Sequence, residues 1–389
     1  MRRVGIIGVG QTPYRAKIDE RTEDLIFKVC REALDDAGLS HDSVDAVVAG
    51  YAPDGLGGEN GPERAFIGAT GGIGKTFFRT NTGGATGESA VSAAVDLIQS
   101  GRADVAIAVA AERMGQVTTV PKVFNTIFDP IWEKDVALST LTMAGVRATR
   151  QMILYGYTPE LWAHIAVRNF AHAAFNPLAQ MAPKLTLEDV LSARILTWPI
   201  RKYDACPVSE GACAVVVAAE DALPSGATPA WIAGRSSHSD TYFMGDRIGR
   251  DEGDLVGLAS LERSAEKAYS DAGITDPLSQ FDVIEIQAAW THYETMALPA
   301  LGLCTAEDVP ELVLGGFGSR DSGRLVMNPS GSAQAANPVG ATGLVRIAEA
   351  ALQVRKKAGE RQIPKCDVAL ATSGGGTLQF ASCMVLTSS

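Results

Sequence analysis

Residues 80–89, TNTGGATGES, have the make-up of a turn that delivers an attacking side chain to the first turn of a helix. Glycines allow close approach of a reacting group, and a helix start favours negative charge, so such a turn stabilises an oxyanion. Where a cysteine or serine would stand, the chain has Gly84. The chemistry expected of this turn is therefore electrostatic, without a covalent intermediate at that position.

Two other glycine-rich stretches carry less. ATGGIGKT (69–76) has the spacing of a phosphate loop, with Lys75 and Thr76 in place, but FFRTNT follows it and reads as a strand. A phosphate loop must run into a helix whose N–H groups hold the anion. GVGQTP (8–13) begins like a dinucleotide fingerprint, yet Pro13 stands at the third glycine position and no helix pattern follows closely. A strand end followed by a turn is the expectation there.

The elements that must position the turn are legible as repeats. ALDDAGLSHDSVDAVVAG (33–50) returns as AYSDAGITDPLSQFDVIEIQ (268–287), each a helix, a glycine stop, a turn and a buried strand. GGATGESAVSAAVDLI (83–98) pairs with VGATGLVRIAEAALQV (339–354), and ADVAIAVAA (103–111) with CDVALATSG (366–374). The same order in both halves predicts a duplicated α/β unit, its strands continuous apolar runs because helices cover both faces. The expected organisation is a first half over 1–115 plus 203–225, a loop region over 115–202 laid on the site, and a second half over 226–389. SEGACAVVVAAE (209–220) supplies the last strand of the first half, and PSGATP (224–229) the linker.

Composition sets the outer limits. At 389 residues and 46% apolar content, the chain can bury a large core. Its formal net charge of -11 opposes attraction to nucleic acid or anionic membranes. No run reaches the roughly twenty apolar residues of a membrane span, and the first residues do not form an export signal, which points to a cytoplasmic protein. Six cysteines with neither a CxxC pair nor a disulfide framework read as reduced, mostly buried thiols. Five scattered histidines predict no metal site in the chain.

Taken together, RRVGIIGVGQTPY, EALDDAGL, NTGGATGESA, AERM, YGYTPELWAHIAVRN, CPVSEGACAVVV, FDVIEIQAAW, MNPSGSAQAANPVGATGL and TSGGGT resemble the thiolase superfamily, closest to its sterol-carrier-protein type. The resemblance implies a thiolase fold: two βαβαβαββ halves forming five layers, α-β-α-β-α, with an inserted loop domain. It also implies coenzyme A as the substrate moiety, a homodimer formed by edge strands of the first half, and a small OB-fold subunit with a zinc ribbon.

On this resemblance Gly84 occupies the nucleophile position. Gln287, near the end of the second half's central strand, stands where the family has histidine or asparagine, Asn337 where it has histidine, and Thr372 where many branches have a second cysteine. Glutamine and asparagine donate hydrogen bonds but do not exchange protons near neutral pH, so Gln287 and Asn337 are expected to bind a thioester oxygen, and the N–H groups of Gly84 and Gly374 to form a second oxyanion site. His292 and Tyr293, just past the Gln287 strand, are candidates for the missing base, and Glu88 stands near the helix start. Lys122, Arg168, Arg201, Lys202, Arg247 and Arg250 are candidates for the CoA phosphates.

Three activities follow from this pattern. One is retro-aldol or related carbon–carbon chemistry on an acyl-CoA, as in the thiolase-like aldolases of degradative, β-oxidation-like pathways for steroids or aromatic compounds. A second keeps thiolase chemistry, with Cys206 or Cys304 as nucleophile or with Gly84 as an introduced replacement of cysteine. The third is a non-catalytic subunit supporting an active partner.

Overall fold

The computed structural model describes residues 2–58, 60–117, 119–136, 138–250, 254–321, 323 and 325–389. The strands of the first half are β1 (Val4–Gln11), β2 (Ala46–Gly50), β3 (Thr76–Thr80), β4 (Val105–Arg113) and β7 (Glu210–Ala219). Those of the second are β8 (Ala230–Ser239), β9 (Val283–Glu285), β10 (Val326–Met327), β11 (Val368–Gly375) and β12 (Phe380–Thr387). These ten form one continuous sheet in the order β10-β9-β11-β12-β8-β1-β7-β4-β2-β3. A short hairpin, β5 (Ile195–Thr197) with β6 (Ile200–Arg201), stands apart.

Each five-strand half repeats the other's order, and the two join between β1 and β8 at the pairs Gly5↔Trp231 and Ile6↔Ala230. Between these strands run the helices Thr22–Ala37, Glu63–Ala69 and Thr86–Gln99 in the first half, and Ala259–Ala272, Thr291–Ala300 and Val339–Val354 in the second. The duplicated βαβαβαββ pattern is therefore present, with β3 and β10 at the outer edges.

Side chains alternate along every strand, and that alternation builds the layers. In β4, Ala106, Ala108 and Ala110 face one core while Ile107, Val109 and Ala111 face another. The first core also receives Ala369 and Ala371 of β11, and between the two halves of the sheet it holds Val91, Ala94 and Val95 of the helix Thr86–Gln99 against Leu344, Ile347 and Ala348 of the helix Val339–Val354. Outside, Leu25, Ile26 and Val29 cover the first half and Leu261, Ala265 and Ala268 the second. The result is the α-β-α-β-α stack of a thiolase fold.

GVGQ of residues 8–11 lies inside β1, and a Cβ at Gly8 would collide with the carbonyl of Ala33. Its glycine serves helix-on-strand packing, and the expected strand end comes after Gln11. FFRT of residues 77–80 lies in β3 as expected. The strand preceding Gln287 differs from expectation in one respect: β9 sits between β10 and β11, and β11 takes the centre of the half-sheet.

Residues between β4 and β7 supply the helices Val120–Asn125, Thr140–Tyr155 and Pro159–Ala173. Ser139 caps the second with a reciprocal bond to Thr142. Pro159 opens the third, at a position where a missing N–H costs no helical bond. Among the described residues no helix is long and apolar enough to cross a membrane.

Candidate active site

Residues 81–85 connect β3 to the helix Thr86–Gln99 through a single tight turn, Gly83–Ala85. Its backbone is held locally: Thr82 N–H donates to Thr86 Oγ1 at 2.9 Å and Gly83 N–H to Asn81 Oδ1 at 3.1 Å. Against it lies the glycine tract at the end of β11. A Cβ at Gly375 would overlap the carbonyl of Thr82, and one at Gly84 would lie 2.5 Å from the carbonyl oxygen of Gly374 and 2.9 Å from Gln287 Nε2. Glycine is thus demanded at position 84 by the backbone opposite, and the turn is not a vacant seat for a cysteine.

Gln287 fastens this contact. Its Nε2 donates to the carbonyls of Gly84 at 3.0 Å and Gly374 at 3.1 Å, while its Oε1 accepts from Ser373 Oγ at 2.7 Å and, more weakly, from Gly374 N–H at 3.4 Å. Reversing the amide would face an oxygen to two carbonyls, so the network fixes its orientation. Both amide hydrogens are consumed. The expectation that Gln287 and Gly374 N–H offer donors to a thioester oxygen is therefore corrected: they brace the two glycine turns.

Asn337 retains capacity. Its Oδ1 accepts from Thr342 Oγ1 at 2.8 Å, its Nδ2 donates to Cys206 Sγ at 3.0 Å, and its backbone N–H donates to Ser209 Oγ at 2.8 Å. An amide nitrogen carries two hydrogens, so one remains for a ligand. Burial pushes the Cys206 thiol up to about 11, which keeps it protonated at neutral pH.

Gly84, Cys206, Gln287, His292, Tyr293, Asn337 and Gly374 line one cavity of about 170 Å³. The segment between β4 and β7 contributes Phe124, Ile127, Met143, Ala144 and Arg147 to its wall. His292 and Tyr293 are both buried at the start of the helix Thr291–Ala300. Burial, with Arg147 adding its charge, holds His292 down to about 3, and its Nδ1 is buried without a partner. Burial raises the Tyr293 phenol, and Arg147 acts in the opposite sense. Among the described residues no partner takes up the Tyr293 hydroxyl, and a Cβ placed on Gly374 would lie 3.1 Å from it.

Arg147 is not legible as a site residue from the sequence. It is 1% exposed, its Nη2 donates to the carbonyl of Thr377 at 2.8 Å, and its Nε is buried without a partner. The one sequence signal is a charge on the same helical face as Met143 and Ala144, four and three residues back.

The remaining candidates separate. Arg168 makes a buried ion pair with Glu294 at 2.6 Å and donates to the carbonyl of Phe317, so its expected phosphate role is corrected to a brace between two helices. Arg247 is buried too, on the carbonyls of Thr377 and Thr241 and beside Asp240, and is corrected likewise. Arg250 pairs with Asp240 at 2.8 Å, and Arg201 donates to the carbonyl of Ala193 at 3.0 Å. Lys202 lies over the Tyr203 ring. Lys122 is exposed on the helix whose Phe124 lines the cavity.

Cys304 and Thr372 do not line the cavity, and Cys304 lies beside Asp308 in a separate surface depression. Glu88 is buried and accepts from Ser92 Oγ at 2.5 Å, outside the cavity wall. All six cysteines are free, four of them buried. Among the described residues no cluster of histidine, cysteine or acidic side chains is arranged to hold a metal ion.

Residues 4–185 match the thiolase N-terminal domain, and residues 247–388 the thiolase C-terminal domain-like family. The chain belongs to the thiolase superfamily. It is 28% identical over 380 residues to an acetyl-CoA acetyltransferase of Methanothermobacter thermautotrophicus, covering 97% of each chain. It is 29% identical to sterol carrier protein 2 of Gallus gallus, over 93% of this chain and 68% of that protein. Among solved structures, a chain of the Ltp2-ChsH2(DUF35) aldolase superposes with a TM-score of 0.84 at 25% identity, over 99% of this thiolase-family chain and 98% of that one. Human mitochondrial 3-ketoacyl-CoA thiolase shares the fold, with a TM-score of 0.74 at 19% identity over 100% and 99% of the two chains.

Proposed function

We propose that this thiolase-superfamily enzyme breaks or makes a carbon–carbon bond in an acyl-CoA by aldol chemistry, without an acyl-enzyme. The carrying observation is the carbonyl of Gly374 standing 2.5 Å from where a side chain at position 84 would begin. Removing the nucleophile leaves an electrostatic site, and the polar atoms still free in the cavity donate or accept protons. The likeness to a thiolase-fold aldolase supports the same chemistry.

In the cleavage direction, Tyr293 takes the proton from the β-hydroxyl of a β-hydroxyacyl-CoA. The oxygen's electrons form the new carbonyl, the Cα–Cβ bond breaks, and its pair moves onto the thioester carbonyl as an enolate. The free amide hydrogen of Asn337 bonds that oxygen. Return of the proton to Cα yields the shortened acyl-CoA and an aldehyde or ketone, with no co-reactant. A chamber of about 170 Å³ is close to one that holds benzene, which favours a small aromatic or aliphatic acyl group over a steroid nucleus.

The reading extends to the expected assembly: coenzyme A enters with its pantetheine arm toward Gly84, Lys122 is available to its phosphates, and residues 115–202 act as the lid. A small OB-fold and zinc-ribbon subunit, and a homodimer paired through the β3 edge, complete the proposal. Support for the small subunit comes from the DUF35 component named with the related aldolase.

The test is incubation of the purified protein, with and without such a subunit, with a β-hydroxyacyl-CoA, following carbonyl product and acyl-CoA by mass spectrometry. Matched release of both supports the proposal. CoA-dependent cleavage of a β-ketoacyl-CoA with acyl mass on Cys206 would establish the thiolase alternative, which the shared cavity and the Asn337–Cys206 bond favour second. Silence under every condition would assign a non-catalytic subunit.

A further inference from the structure

Buried arginines in this protein are neutralised with consistency. Arg168 pairs with Glu294, Arg346 with Glu285, Arg361 with Glu349, and Arg355 with Asp36, each within 2.7 Å, and Arg247 lies 3.5 Å from Asp240. Arg147 is the exception. It is as buried as any of them, yet it forms no ion pair among the described residues; its acceptor is the carbonyl of Thr377, and that carbonyl is shared with the like charge of Arg247. An isolated buried cation is costly unless an anion completes it.

We propose that Arg147 is an anion-recognition residue of the acyl chamber, and that the acyl group of the substrate carries a carboxylate. The substrate class is then a CoA monothioester of a dicarboxylic acid, a step beyond the proposed aldol function on which this inference rests.

Position and surroundings select that anion. A phosphate group of coenzyme A would have to be buried to reach Arg147, which is 1% exposed, and burying an anion of higher charge costs more. Along the same helical face Thr140, Met143 and Ala144 line the cavity, so the cation is embedded in the wall that would contact an acyl chain. The titratable and charged groups that act on it are Arg247, Tyr293, Asp240 and His292; of these Asp240 is already engaged by Arg247 and Arg250, and His292 is neutral. Burial lowers the guanidinium to about 9, which leaves it charged at neutral pH. A guanidinium with free N–H groups matches a carboxylate in shape and charge.

The experiment compares succinyl-CoA with its neutral carboxamide isostere by calorimetry at pH ~7.5, on the wild-type protein, Arg147→Met and Arg147→Lys. One charge-assisted hydrogen bond corresponds to about ten- to a hundredfold in affinity, and the wild type should prefer the carboxylate by that factor. Arg147→Met should lose the preference and Arg147→Lys retain part of it. Equal binding of the two thioesters to the wild type overturns the inference alone, as does a preference that survives in Arg147→Met. Failure of both thioesters to bind overturns it together with the acyl-CoA reading of the cavity. Should Arg147→Met not fold, the wild-type comparison still decides.

Discussion

The side-chain amide of Gln287 donates to the carbonyl of Gly84 across 203 residues of sequence. With the carbonyl of Gly374 closing over the same point, this bond turns a nucleophile position into a backbone contact. Gly84→Cys should therefore not create a thiolase. Overpacking of this kind costs about 1–3 kcal/mol, and urea unfolding of Gly84→Cys and Gly84→Ala should show losses in that range. A stable Gly84→Cys protein that accumulates an acyl-enzyme in the mass spectrometer would refute the account.

Gln287→Ala tests the brace itself. It strands two carbonyls and the Ser373 hydroxyl, and a buried unpaired polar group costs about 1–3 kcal/mol. Part of the penalty at Gly84→Ala comes from the Gln287 amide, so the double variant should be less destabilised than the two single losses added together, with coupling of about 0.5 kcal/mol or more. Strict additivity in denaturant melts would show that the amide does not press on position 84.

Much of the scaffold is visible before any folding. The three repeated segments correspond to a helix with its following strand, to the two central helices and to β4 with β11, because buried strands and helices keep a local apolar signature. The glycine turn is equally visible. What the turn does is not, because it depends on Gly374, Ser373 and Gln287 meeting it from the other half of the chain, and no local pattern encodes that meeting. Arg147 stays hidden for a related reason: a lone charge on a helix reads as a solvated face, and only the fold shows that it is buried with no carboxylate paired to it among the described residues. Arg168 misleads in the same way, as its partner Glu294 lies 126 residues away.

That ion pair supplies a stability prediction. Arg168→Met leaves Glu294 buried with its bond from Asn328 Nδ2 at 3.0 Å but without its cation, and breaking a buried pair from one side costs about 3–5 kcal/mol. Thermal stability should fall accordingly, while CoA affinity of the folded fraction stays unchanged. Weakened CoA binding at unchanged stability would restore Arg168 to the phosphate site.

Acid should loosen the fold through its buried histidines. Burial holds His172 down to about 4 and His292 to about 3. Each folded value lies below the ordinary one near 6.5, so the unfolded chain takes up protons first: the stability is full above about pH 6.5 and is lost as pH falls toward the folded values. The slope is about 1.4 kcal/mol per pH unit for each histidine. Glu112, raised by burial to about 8, acts in the opposite sense, so the comparison must isolate one group. Urea melts between about pH 7.5 and 5 should show His292→Gln with a shallower acid loss than the wild type, by one histidine's slope; parallel curves would mean that His292 takes up its proton in the folded state.

Tyr293 and His292 can be told apart by the pH dependence of turnover. His292, neutral at every pH above about 3, would give a flat kcat/KM from about pH 6 to 9 as the base. Burial raises the phenol of Tyr293, so its reactive phenolate is scarce, and a reaction that needs it should accelerate about tenfold per pH unit across the same range. The latter slope is expected, since the Tyr293 hydroxyl has no partner among the described residues and Arg147 favours its ionised form. Tyr293→Phe should then lower kcat by about a hundredfold or more with little change in unfolding midpoint, because no protein hydrogen bond is lost. A flat profile that survives in Tyr293→Phe and collapses in His292→Gln would move the proton transfer to the imidazole.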